Sequence, residues 1–184
     1  MNDDDRVDAV TLLVRQHEQI RDLLDQIELA TPSTRRSAFE PLVRLLAVHE
    51  TAEEIVVHPV VRRCGPEGEA VTRARLAEED SAKKLLAALE RLDPASVDFM
   101  HLFDALRTAV LRHAQLEERE CFPLLTQTVG AEQLTTMAAG LRLAESVAPT
   151  HAHAGAPESA IGNVTVGPFL AMADRVRDLF RSRS

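Results

Sequence analysis

His49-Glu50-Thr51-Ala52-Glu53-Glu54-Ile55-Val56-Val57-His58-Pro59-Val60-Val61 and His113-Ala114-Gln115-Leu116-Glu117-Glu118-Arg119-Glu120-Cys121-Phe122-Pro123-Leu124-Leu125 share one pattern: His-x-x-x-Glu-Glu, four residues, Pro, two aliphatics. An α-helix turns about 100° per residue, so a His and a Glu four apart lie about 40° apart on one face. Each copy therefore offers one imidazole and one carboxylate toward a common point. The first copy begins like the zinc-protease motif His-Glu-x-x-His, but Glu53 occupies its fifth position, which argues against that chemistry.

The segments ahead of the two copies also align. His17-Glu18-Gln19-Ile20-Arg21-Asp22-Leu23-Leu24 matches Glu79-Asp80-Ser81-Ala82-Lys83-Lys84-Leu85-Leu86, and Ile27 matches Leu89. His17 and Glu79 are 62 residues apart and His49 and His113 are 64 apart, so the chain consists of two related helix hairpins with slightly different loops. In this register Glu79 stands where the first hairpin has His17. Glu78 and Asp80 flank it as alternates for a register one residue off. Glu78 is the better of the two, because Leu85, Leu89 and Leu92 project back nearer to it.

Apolar residues at helical spacing predict four long helices: Val7 to Leu29, about Thr34 to Arg62, about Glu69 to Leu92 and about Ser96 to Thr128. Thr31-Pro32-Ser33, Cys64-Gly65-Pro66-Glu67-Gly68 and Asp93-Pro94 mark the turns, Pro59 ends or kinks the second helix, and Gly130 caps the fourth. The fold class expected is all-α, an antiparallel up-down four-helix bundle over residues 1–130 with a C-terminal helical extension over 131–184. Within that extension a short helix runs to about Val147, a flexible loop spans 148–168, and an amphipathic segment runs from Phe169 to Arg181.

The composition is that of an ordinary globular chain: 184 residues, 45% apolar and 27% charged. With 21 Lys+Arg against 29 Asp+Glu the formal net charge is −8, so no nucleic-acid partner is expected. Trp and Tyr are absent, which disfavours base stacking. Cys64 and Cys121 form neither a disulfide framework nor a metal knuckle and suit a reducing compartment. The acidic start Met1-Asn2-Asp3-Asp4-Asp5 has no apolar core of a signal peptide, and no apolar run is long enough to cross a membrane. A cytoplasmic location without membrane association is the expectation.

Three imidazoles (His17, His49, His113) and three carboxylates (Glu53, Glu79, Glu117) brought together by four helices suit two iron or manganese ions, with carboxylates able to bridge. Glu50 is a further candidate ligand, although the second copy has Ala114 there. Glu54 and Glu118 are either acceptors for the N–H groups of the ligand imidazoles or solvated. His58 either reaches the bundle mouth or is a packing or exposed histidine. His151 and His153 fall in linker.

A His, then His-x-x-x-Glu, then a second His-x-x-x-Glu on successive helices resembles the hemerythrin-like, HHE cation-binding family, over about residues 7–128. The resemblance implies a four-helix bundle around two non-haem iron ions, ahead of manganese or zinc. It further implies roles in binding or sensing dioxygen, nitric oxide or iron, or in peroxide handling. His17, His49, Glu53, His113 and Glu117 match its ligand positions. The family usually has His where this chain has Glu79, and its oxygen carriers have a second His on the third helix and a longer His-to-Asp spacing on the fourth. The departure at Glu79 makes the site harder and favours the ferric state. Expectation moves from reversible oxygen carriage toward oxidase-like, peroxide-consuming or sensing behaviour. No separate nucleophile constellation is present, so any catalysis rests on the metal. The alternative is a regulatory or structural bundle with a degenerate metal site, whose C-terminal segment meets a protein partner or a second copy.

Overall fold

The computed structural model describes residues 7–147. The chain runs through α1 (Ala9–Leu29), α2 (Arg35–Val56), a single turn α3 (His58–Val61) that tightens into a 3₁₀ turn (Arg62–Cys64), α4 (Pro66–Leu89), α5 (Val97–Leu116), a π-helical turn (Glu117–Cys121), α6 (Phe122–Thr128) and α7 (Ala131–Val147). The described residues contain no strand. The all-α bundle expected from the apolar spacing is present. The loop expected at 148–168 and the helix expected at 169–181 lie outside the described residues. No helix of the described residues is long and apolar enough to cross a membrane.

Local chemistry sets the helix starts. The Asp8 carboxylate accepts the Thr11 N–H at 2.9 Å, and the Ser96 hydroxyl accepts the Phe99 N–H at 3.1 Å, each satisfying a first-turn donor. Gly65 takes φ 88°, a left-handed conformation suited to glycine, and Pro66 begins α4 with its ring already at a helical φ. Helix α4 thus starts inside the segment expected to be turn. Gly68 is required for a different reason: a Cβ there would fall 2.0 Å from the Val61 carbonyl oxygen. At the opposite end Arg35 donates to the Pro94 and Ala30 carbonyls, and Arg36 to those of Leu92 and Glu90, so the two hairpin bends are tied together.

Two expected helices are interrupted. The second ends at Val56 and restarts as α3 ahead of Pro59. The fourth opens into the π turn ahead of Pro123. Proline lacks an N–H and its ring collides with the carbonyl four residues back, so the preceding turn must widen or break. Gly130 does not act as a left-handed cap, because α6 already ends at Val129 in extended backbone, φ −115° and ψ 143°.

The apolar core falls into two clusters. One holds Ile20, Leu24, Phe39, Leu42, Leu46, Leu86, Phe99, Phe103, Leu106 and Val110. The other holds Leu13, Val56, Val61, Phe122 and Leu125 together with Leu134, Met137 and Leu141 of α7. Full burial of each such side chain is worth about 1.5–3 kcal/mol, so the bundle has cohesion at both ends. Helix α7 packs on α1 and α2 and contributes fully buried Met137 and Leu141 to the second cluster. Between the clusters lies a layer of buried polar residues: Gln16, His17, His49, Glu50, Glu53, Glu79 and Glu117.

Candidate metal centre

Each helix reaches this layer at the same height. In α1, His17 sits one turn from Leu13 and from Ile20, which belong to opposite clusters. In α2, His49 and Glu53 lie between Leu46 and Val56, and Glu79 of α4 precedes Ala82. His113 lies in the last turn of α5, and Glu117 opens the π turn that follows. His17, His49, Glu53 and Glu117 each offer a ligand atom, all within 4.8 Å of one another. The carboxylate of Glu117 faces two imidazoles: Oε2 lies 3.3 Å from His17 Nε2, and Oε1 lies 3.4 Å from His113 Nε2. His49 Nε2 lies 3.5 Å from Glu53 Oε2. Glu79 is buried, and its Oε1 lies 3.5 Å from His58 Nε2.

The outer nitrogens of the three imidazoles are held by acceptors. His17 Nδ1 donates to Glu118 at 2.9 Å, His49 Nδ1 to the Gln16 side-chain oxygen at 2.7 Å, and His113 Nδ1 to Glu78 at 3.1 Å. A carbonyl or carboxylate oxygen accepts only, so each Nδ1 carries a proton and Nε2 is the nitrogen that faces the centre. Histidines that ligate metals are oriented in this way.

These contacts obey the repeat. Gln16 and Glu78 correspond, and each holds the imidazole of the helix that follows in its own hairpin. Arg21 and Lys83 correspond; Arg21 meets Glu118 and Lys83 meets Glu54, both at 2.8 Å. The Gln16 amide also donates to Glu145, which links His49 to α7.

The electrostatics favour a cation. Burial, then the Glu117 charge, pushes the Glu53 carboxyl well above its usual range. Burial and the neighbouring Glu50 and Glu54 push Glu79 up to about 9. Burial, then the nearby His17, pulls His49 down to about 3, so that its ring is neutral. Burial pushes Glu117 up, but His17, His113 and His49 outweigh it and hold the carboxyl at about 2. The buried atoms His17 Nε2, His113 Nε2, Glu117 Oε2 and both oxygens of Glu53 and Glu79 have no hydrogen-bond partner. Unpaired buried carboxylates are costly, and a bound cation is the chemistry that relieves them. A donor set of imidazoles and carboxylates suits first-row divalent ions. Neither cysteine belongs to this cluster, and burial pushes the Cys121 thiol far up.

Of the six predicted residues, His17, His49, Glu53 and Glu117 come together in one cluster, while His113 adjoins it through Glu117 and Glu79 lies outside it beside His58. Among the helix-three alternates, Glu79 points inward, Glu78 is half-buried behind His113, and Asp80 is exposed beside Lys84. Glu118 accepts from an imidazole, whereas Glu54 is exposed and pairs with Lys83. Glu50 is buried beside the centre, its carboxyl raised to about 7 by burial against the pull of Lys83. Gln16 carried no signal of its own in the sequence, yet its correspondence with Glu78 points to it. Above the imidazoles is a cavity of about 10 Å³ walled by Ile20, Leu46, Ala82, Val110 and Ala114, room for a guest of water size.

Comparison with known proteins follows from this geometry. Residues 8–125 match the family model for the hemerythrin HHE cation binding domain. A DNA nickase from Nostoc sp. is 25% identical over 131 residues, which cover 71% of this chain and 37% of that protein. The chain therefore spans little more than a third of that relative's length. The crystal structure of a hemerythrin HHE cation binding domain-containing protein from Mycobacterium kansasii matches with a TM-score of 0.67 at 21% identity. That match covers 76% of this chain and 88% of the other, and it shows the same fold.

Proposed function

We propose, from the premise that this chain belongs to the hemerythrin HHE cation-binding family, that its buried layer holds two non-haem iron ions and binds or reacts with dioxygen, peroxide or nitric oxide. The observation that carries the reading is the set of buried, unpartnered imidazole nitrogens and carboxylate oxygens facing one another across four helices. His17, His49, Glu53, Glu79, His113 and Glu117 are the ligands. Glu117, with one oxygen toward His17 and the other toward His113, would help hold the metal between these two imidazoles. Iron, when bound, supplies redox and Lewis-acid chemistry.

The protein's own part is orientation and selection. Glu118, Gln16 and Glu78 hold Nδ1 of the three rings, so each Nε2 faces the centre without rearrangement. The cavity beside the imidazoles is only of water size, which disfavours substrates larger than the smallest molecules. Glu79, a carboxylate in place of an imidazole, favours the ferric state and with it peroxide-consuming or oxidase-like turnover over reversible carriage.

Iron content and the optical spectrum of His49→Ala and His113→Ala test the reading. Each variant should lose stoichiometric iron while staying helical, and full loading of both would overturn it. DNA nicking is a second reading, favoured by the likeness to the Nostoc nickase. The net charge of −8 gives it no electrostatic support. Conversion of supercoiled plasmid to open circles by the iron-loaded chain, lost in His49→Ala, would establish it.

A further inference from the structure

Each half of the repeat sets a ring just before a proline and packs it on the inward residue of the other hairpin. In one half the ring is Phe122, before Pro123, stacked on His17 with ring centres 5.7 Å apart. In the other it is His58, before Pro59, with Nε2 3.5 Å from Glu79 Oε1. The positions correspond: His17 with Glu79, and Phe122 with His58. Across the two halves, imidazole and neighbour have exchanged places.

Among the described residues no hydrogen bond accounts for the buried His58 ring. It is 3% exposed, and neither ring nitrogen has a hydrogen-bond partner, an arrangement that is costly for a structural residue. α2 ends at Val56, and the single turn that follows, His58–Val61, carries the ring beside Glu79.

From this exchange we infer that His58 is a seventh ligand, supplying the ion on the second hairpin's side with the imidazole that α4 lacks. The inference rests on the two-ion reading above. Iron titration, metal content and optical spectra of the wild type, His58→Phe, His58→Gln and the double variant H58F/E79H test it, with circular dichroism to check the fold. The wild type should take up two ions. The single variants should bind the second at least about tenfold more weakly and keep the first, and H58F/E79H, which returns the imidazole to α4, should regain the second.

Two ions held at wild-type affinity with an unchanged spectrum in both single variants would overturn the role of His58 and leave the two-ion reading intact. A wild type that takes up no stoichiometric metal would overturn both. Should the single variants fail to fold, a crystal structure of the iron-loaded wild type decides. A His58 nitrogen about 2 Å from an ion supports the inference, and a ring turned away from both ions overturns it.

Discussion

His17, His49 and His113 each present one nitrogen inward and hand the other to a specific acceptor, and the site's behaviour is set atom by atom. The inward residues were legible in the sequence because the His-x-x-x-Glu spacing occurs twice. A one-residue register ambiguity at Glu78, Glu79 and Asp80 is resolved by burial of Glu79. The acceptors were harder to see: Gln16 lies on α1 but serves His49 of α2, a contact that no spacing within one helix announces. Removing that acceptor frees the His49 ring to rotate and change tautomer. Gln16→Leu should therefore weaken iron binding by about 10–100-fold with little change in helicity, measured by iron titration. Affinity equal to wild type would mean that the ring is held by packing alone.

At the scale of elements, the prolines explain what periodicity missed. The apolar spacing continues past Val56 and Leu116; Pro59 announces the end or kink of the second helix, but nothing in the spacing announces the π turn that opens at Glu117 ahead of Pro123. Helix α7 was legible as a helix but not in its packing, because short apolar spacing does not say which face of a bundle it meets. Met137 and Leu141 are fully buried with α1 and α2, so Leu141→Ala should cost about 2–5 kcal/mol, read from denaturant unfolding. A loss near zero would mean that α7 is not part of the cooperative unit. The two glycines near turns should behave oppositely. Gly68→Ala drives a Cβ into the Val61 carbonyl and should lose about 1–3 kcal/mol, whereas Gly130→Ala meets open space and should leave the melting temperature unchanged or slightly higher. Equal melting temperatures would remove the close α3–α4 approach from the account.

For the whole molecule, the buried layer makes metal, proton and fold one equilibrium. In the metal-free protein Glu79 keeps its proton up to about 9, against 4.5 when unfolded, so its contribution is full below 4.5 and is lost as pH rises toward 9. His49 works in the opposite sense: its pKa is about 3 folded and 6.5 unfolded, so stability lost in acid is regained by about pH 6.5. Above that the carboxylate effect of Glu79 remains, reinforced by Glu53 and, up to about pH 7, by Glu50. The metal-free chain should lose stability steadily from about pH 6.5 to 9, followed by urea unfolding in chelator, and a flat profile would contradict these burials. Metal binding must displace the protons of Glu53 and Glu79, so it should tighten as pH rises and release protons into the buffer. The direct test of the central claim is the metal content of untagged protein from iron-supplemented cells, measured by plasma mass spectrometry with the optical spectrum of the same sample. About two irons per chain, with charge-transfer absorption that disappears in His49→Ala and His113→Ala, is the result expected of this layer. A chain that takes up no stoichiometric metal, even after anaerobic ferrous reconstitution, would contradict it.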